Sequence, residues 1–176
     1  MVEYVGGGDS GTGITSIGSG KDYSTIAAWI ASLSDGTYSS GDDIIGELYD
    51  SSYDEAFNIG DAPFSIGGLN SVTLRANSAY KHDGTPDSGV KITYSGSVPD
   101  SSAPYTVSYD SSTYGEYKVK IEDIEFADFN HSADVHVYGF LLSEKTTIMS
   151  RCLVNNFSSN GSSTKRFRVF RQGKPR

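Results

Sequence analysis

From residue 44 onward, apolar and polar residues alternate in short runs with a period of two, the pattern of strands that bury one face. The runs are Ile44–Tyr49, Phe57–Ile59, Val72–Ala76, Val90–Tyr94, Tyr105–Tyr109, Val119–Phe126, Val135–Leu142, Thr147–Val154 and Phe167–Phe170. Between them lie clusters such as HDGTPDSG, SGSVPDSS and NFSSNGSS, whose Gly, Pro, Asn and Asp residues favour turns. One stretch has a different period. Ile26, Trp29, Ile30 and Leu33 fall at i, i+3, i+4 and i+7, so Ser24–Leu33 is predicted to be a helix of about three turns with one apolar face. Asp22 or Ser24 is positioned to cap its start, and Asp35-Gly36 to stop it. With no second helical stretch, βαβ crossovers are not expected, and a lone amphipathic helix suits a lid.

An internal echo narrows the all-β alternatives. Ile121, Ile124, Phe126 and Phe129 recur as Met149, Cys152, Val154 and Phe157, an offset of 149 − 121 = 28 residues. Stacked solenoid coils produce such an offset, because each rung sets like residues above like. At this spacing the chain after Gly41 has room for four to five coils. Tyr80–Gly89 then reads as an insertion at a surface turn. A β-sandwich assembled from the same short strands is the competing fold. The expected architecture is therefore all-β, a short solenoid whose N-terminal end is covered by Ile26, Trp29, Ile30 and Leu33.

Composition agrees with strands and polar turns: 20 Gly, 12 Tyr and 8 Phe in 176 residues, with 36% apolar residues, enough for one elongated core. Cys152 has no partner for an internal disulfide. The start MVEYVGGGDSG lacks the basic-then-apolar pattern of a secretion signal, so synthesis in a cytoplasm is expected, with no membrane partner. The Gly-rich residues 1–20 read as a flexible arm, residues 21–164 as the capped solenoid and residues 165–176 as a basic segment. Gly20-Lys21 does not complete a phosphate-binding loop, because Thr15 stands where that motif has Gly and Asp22 where it has Ser or Thr.

Charge is divided unevenly. Residues 1–144 carry 22 acids and 6 bases, net −16, whereas residues 145–176 carry 8 bases and no acid, net +8. Lys165, Arg166, Arg168, Arg171, Lys174 and Arg176 make the C-terminal segment a candidate docking surface for an acidic partner or another copy of the chain. Bases and aromatics interleave from Lys165 to Arg171, but the acidic remainder would repel phosphate, so nucleic acid is not the favoured partner.

The segments Gly18-Ser-Gly-Lys-Asp-Tyr-Ser-Thr-Ile-Ala-Ala-Trp29, Asp42-Asp43-Ile44, Tyr80-Lys-His-Asp-Gly84, Val119–Phe126 and Ser150–Phe157 give the chain a resemblance to right-handed parallel β-helix proteins of the pectin-lyase-like type, especially those common in phages and viral metagenomes. The resemblance covers about residues 17–160. It implies a right-handed solenoid capped by the helix, and a place in a virus particle after synthesis in the host cytoplasm. The chain ends soon after its last recognisable rung, which favours a building block over a long catalytic groove.

Enzymes on such folds use clustered carboxylates that hold calcium, or paired acids at a glycosidic bond. Asp123 and Glu125 share a strand face and Asp128 lies beyond the next turn, so these three form the candidate cluster. The 28-residue offset sets Arg151 over Asp123, which predicts a cross-rung ion pair instead. Asp42-Asp43 reads as a turn. His82-Asp83 and the trio His131, Asp134 and His136 lack a convincing third ligand. Cys152, aligned with Ile124, reads as a buried small side chain. The expectation is a virion structural protein with no catalytic residue, metal or cofactor: a capsid decoration or cement protein, docked on capsid or tail proteins and homo-oligomeric, with a trimer as one form. The alternatives are a tail fibre or spike component and a carbohydrate-binding or polysaccharide-cleaving β-helix.

Overall fold

The computed structural model describes residues 12–33, 38, 41–59, 69–97, 103–107, 118–131, 137–142, 147–159 and 167–172. The described part opens with strand β1 (Thr12–Ile17) and helix α1 (Ile26–Ser32), then winds through rungs that repeat one route. The first rung comprises β2 (Asp43–Leu48), β3 (Ser52–Asp54) and β4 (Phe57–Asn58), and the second β5 (Ser71–Ala76), β6 (Lys91–Thr93) and β7 (Tyr105–Val107). The third runs through β8 (Lys118–Glu122), β9 (Glu125–Ala127), β10 (Asn130–His131) and β11 (Val137–Leu142). The last runs through β12 (Thr147–Ser150), β13 (Leu153–Asn155), β14 (Ser158–Ser159) and β15 (Phe167–Gln172).

Corresponding strands of successive rungs pair in parallel, in the orders β1-β2-β5-β8-β12, β3-β6-β9-β13, β4-β7-β11-β15 and β10-β14. The protein is a parallel β-solenoid of about three turns, and the sandwich alternative is excluded. The echo seen in the sequence is the true register, since Met149 pairs with Ile121 and Val154 with Phe126. The same 28-residue step recurs earlier, from Asp43 to Ser71. The length allowed four to five coils, but one coil is far longer: Ser71 pairs with Lys118, 118 − 71 = 47 residues on. Part of that excess is the insertion 80–89, which lies between β5 and β6 as expected.

Side chains that point inward stack into columns. Ile44, Val72, Val119, and likewise Leu74 and Ile121, are all buried on the inner face of the first sheet. Phe57, Tyr105 and Phe140 stack in register, with centroids 5.4 and 5.3 Å apart, and Phe126 packs 4.9 Å from Tyr105. The columns end at α1. Ile26, Trp29, Ile30 and Leu33 are buried on the first rung, as the helical spacing predicts. The capping residue is Thr25 and not Asp22 or Ser24: its side chain accepts from the Ala28 N–H at 3.0 Å. Asp22 instead accepts from the backbone N–H and hydroxyl of Ser16, holding the approach to the helix against β1. Glu55, from the next rung, accepts from the free first-turn N–H groups of Ile26 and Ala27, both at 3.0 Å.

Four strands went unforeseen: β1, β3 and the two-residue β10 and β14, the last inside the NFSSNGSS cluster that reads as a turn. Residues 12–17 belong to the sheet and not to an arm, so the arm assignment fails for that part, while residues 1–11 lie outside the described residues. Their inward positions hold Gly13 and Thr15, which conceals the alternation, and a side chain at Gly13 would press on the Tyr38 ring at 3.3 Å. β3 was missed because only Tyr53 points inward. The runs 119–126 and 147–154 each proved to be two strands, divided at Asp123 and Arg151, whose φ values of 59° and 51° turn the chain at a corner.

Gly46 sits at an inward position of β2, directly under the cap. A Cβ there would lie 2.6 Å from Cε2 of Trp29 and 2.9 Å from Cδ1 of Ile17. Gly46→Ala is expected to destabilise the fold by about 1–3 kcal/mol through overpacking. In a double-mutant cycle with Trp29→Leu, urea denaturation should show a coupling of at least about 0.5 kcal/mol, the smaller residue relieving the clash. Additive effects would mean that Trp29 does not seat on Gly46.

Candidate functional site: stacked corners and the last rung

The carboxylates singled out from the sequence lie at and beside the corners on either side of β9. The chain turns at single residues in the left-handed conformation: Asp123 over Arg151 at one corner, Asp128 over Asn156 at the other. Asp and Asn tolerate this conformation better than most residues, and Arg does not, so Arg151 needs other support. That support is Asp123. Its carboxylate accepts from Nε of Arg151 at 2.5 Å and from Nη2 at 3.0 Å, in the pairing expected from the 28-residue offset. At the second corner, Asn156 donates to Asp128 at 2.8 Å.

The insertion 80–89 lies across this edge of the solenoid. Lys81 pairs with Asp123 at 2.9 Å, and His82 Nε2 meets the Arg151 carbonyl at 2.6 Å, two rungs below its own strand. Farther along, the Asp87 N–H donates to Oε2 of Glu125 at 2.7 Å. Glu125 is fully buried as a result, and its Oε1 has no partner among the described residues. Lys91, at the start of β6, pairs with Asp87 at 2.6 Å and Asp128 at 3.3 Å.

This arrangement ties up the very groups that acid–base or calcium chemistry would need. Arg151, aided by Lys81, holds the Asp123 carboxyl down at about 2, so it stays ionised and cannot serve as a general acid near neutrality. Asn156 and Lys91 lower Asp128 in the same way. An ammonium stands between Asp87 and Asp128 where a calcium site would put the metal, and no group of three or more metal-ligating side chains occurs among the described residues. The three carboxylates do not converge on one free site.

Of the other candidates, Asp43 opens β2, accepting from the Asn70 side chain at 2.9 Å and from the Ser71 hydroxyl, and Asp42 beside it is buried. Asp83 accepts from the Thr85 N–H within the insertion. His131 falls in β10, while Asp134 and His136 lie outside the described residues. Cys152 was expected to be buried; it is only partly so, because nothing described stacks below it, and burial raises its thiol pKa, which disfavours the thiolate. Among the described residues, no helix is long and apolar enough to cross a membrane.

The basic docking candidates divide between strand and undescribed chain. Arg168 and Arg171 belong to β15, whose backbone pairs with β11, so 165–176 is not simply a tail. Lys165, Arg166, Lys174 and Arg176 lie outside the described residues. In the same rung the final layer of the core, Met149, Cys152, Val154 and Phe157, is only partly buried. The equivalent Ile121, Ile124, Phe126 and Phe129 one rung earlier are fully buried. Several polar ties went unforeseen. Glu47 pairs with Arg75 at 2.5 Å, again 75 − 47 = 28 residues away, so extending the repeat upstream would have found it. Glu55, Lys81 and Lys91 carry no such signal, because their partners follow no constant offset.

Replacing Asp123 with Asn tests the corner. Arg151 is largely exposed, so solvent screens the pair and its contribution is small. The folded-state pKa of Asp123 is lowered, so its contribution is complete above the unfolded value near 4 and fades as pH falls towards 2. Denaturation midpoints should therefore differ between wild type and Asp123→Asn at pH 6 and converge by about pH 2. An equal gap at both pH values would show that the ion pair is not the cause.

Comparison with protein-family models, curated proteins and solved structures gives no match for this chain, so the resemblance to pectin-lyase-like β-helices rests on the motifs quoted above.

Proposed function

We propose that this protein is a structural building block of a virus particle, a capsid decoration or cement protein without catalysis, docked through its C-terminal rung. The observation that carries this reading is the contrast between the two ends of the solenoid. The first rung is covered by α1, whereas the last presents a partly exposed apolar layer, and the sequence from 145 to 176 carries net +8. A partly open apolar layer in a stretch of one charge sign is the composition of a docking face. Engagement of Asp123, Glu125 and Asp128 by structural partners supports a role in scaffolding over polysaccharide cleavage. The viral setting comes from the motif resemblance.

The experiment must leave β15 intact, because deleting residues 165–176 would remove a strand of the last rung. Substituting Lys165, Arg166, Lys174 and Arg176 with Ser removes four charges outside that strand. When wild type and variant are mixed with particles of the parent virus at about 0.15 M salt, the variant should sediment with them at least about tenfold less, and the wild type should be released as salt screens the contact. Equal binding of variant and wild type, unaffected by salt, would refute docking through the basic end.

A further inference from the structure

We infer that the insertion 80–89 is an acid-released clasp: a proton taken up by His82 frees it from the edge of the solenoid and uncovers Glu125. The two ring nitrogens of His82 are both engaged. Nδ1 accepts from the Gly84 N–H at 3.1 Å, and Nε2 lies 2.6 Å from the Arg151 carbonyl. A nitrogen that accepts an N–H carries no proton, so the proton of the ring sits on Nε2 and is donated to that carbonyl. Together the two contacts require the neutral imidazole. A second proton has only Nδ1 to go to, where it would face the Gly84 N–H, donor against donor. No charged neighbour is left open to receive it. Lys81, Asp123 and Arg151 bind one another, Glu122 pairs with Arg151, and Asp83 accepts from the Thr85 N–H. Of the remaining titratable groups beside this contact, Tyr80 packs on the Tyr49 ring and Cys152 turns towards the core.

Closure of the clasp carries a cost of its own. It buries Glu125 completely, and although Oε2 accepts from the Asp87 N–H at 2.7 Å, Oε1 has no partner among the described residues. A carboxylate oxygen enclosed without a donor loses its hydration uncompensated, and opening returns it to water. The closed form therefore stands above the open one by a narrow margin, which the contacts of His82, Asp87 and Lys91 supply. Room is equally tight: a Cβ on Gly89 would lie 2.3 Å from the backbone nitrogen of His82, so only glycine lets the two legs of the insertion close. At its root the Val90 N–H donates to the Tyr80 carbonyl at 2.8 Å, and Val90 is buried, so the base stays fixed while the rest moves. An element with two states close in free energy is one that a single histidine proton can bias.

Nuclear magnetic resonance of the whole chain tests this. At about pH 8 the nitrogen shifts of His82 should report the Nε2–H tautomer, and the amides of Gly84 and Asp87 should be protected from hydrogen exchange. Between about pH 8 and about pH 5.5 their protection, relative to intrinsic rates, should fall at least about fivefold, while that of Ile121 in β8 stays unchanged. Asp123, held at about 2, and Asp128, also lowered, remain ionised over this range, so the change is not theirs. His82→Gln should abolish the pH dependence, which separates His82 from the other two histidines, His131 and His136. Gly89→Ala should leave Gly84 and Asp87 unprotected even at the higher pH, with Ile121 still protected. Glu125→Gln, whose neutral amide costs less to enclose, should raise protection at the lower pH above that of wild type. An Nδ1–H tautomer at the higher pH, protection in wild type that does not change with pH, or a pH dependence that survives His82→Gln would each overturn the inference.

Discussion

Parallel pairing in register between successive rungs is the constraint on which the structure depends. Each strand bonds to the strand one coil earlier and one coil later, so a side chain that points inward in one rung must lie over an inward side chain in the next. Backbone ladder and core columns are thus satisfied together. A slip of one residue would turn Ile121 and its column outward and set polar residues in the core. Register also aligns the outer faces, and the polar ties follow from it: Glu47 with Arg75, Asp123 with Arg151 and Asp128 with Asn156 are each 28 residues apart. These contacts are consequences of the winding more than causes of it, since partly exposed pairs contribute little each.

A stack of identical layers has a problem at its ends, and the two ends are treated differently. At the first, Trp29 fills the cross-section of the solenoid over Gly46, and Glu55 fixes the helix by its first-turn N–H groups. The glycine is required by the tryptophan, not by backbone conformation. At the other end no further rung follows among the described residues, and the layer there resembles the interior in composition and the surface in exposure. Function is read from this asymmetry, because a face of that kind is stable only when covered.

The insertion 80–89 shows how a regular solenoid becomes individual. It leaves the second rung between β5 and β6, reaches down to Arg151, and encloses Glu125 on what would otherwise be an exposed strand face. Carboxylates that look in sequence like a catalytic or calcium-binding set become parts of a clasp. Asp123 and Asp128 are held ionised by the cations and amide that pair with them, which marks that role.

Sequence alone determined the elements whose physics is local or periodic. The helix was legible because four apolar residues lie on one face of a 3.6-residue turn. The solenoid was legible because residues 121–129 and 149–157 repeat at the offset of a coil, and the Asp123–Arg151 pair followed from the same offset. What only the tertiary structure decided has no period. β1 was hidden because Gly13 and Thr15 occupy two of its three inward positions, Gly13 against the Tyr38 ring. The corners at Asp123 and Arg151 depend on left-handed residues supported by a neighbouring rung, the helix cap fell to Thr25, and the burial of Glu125 depends on a loop 38 residues away in the chain. Contacts of this kind arise from where the winding brings the chain, so they become visible only once every rung has been laid on the one before it.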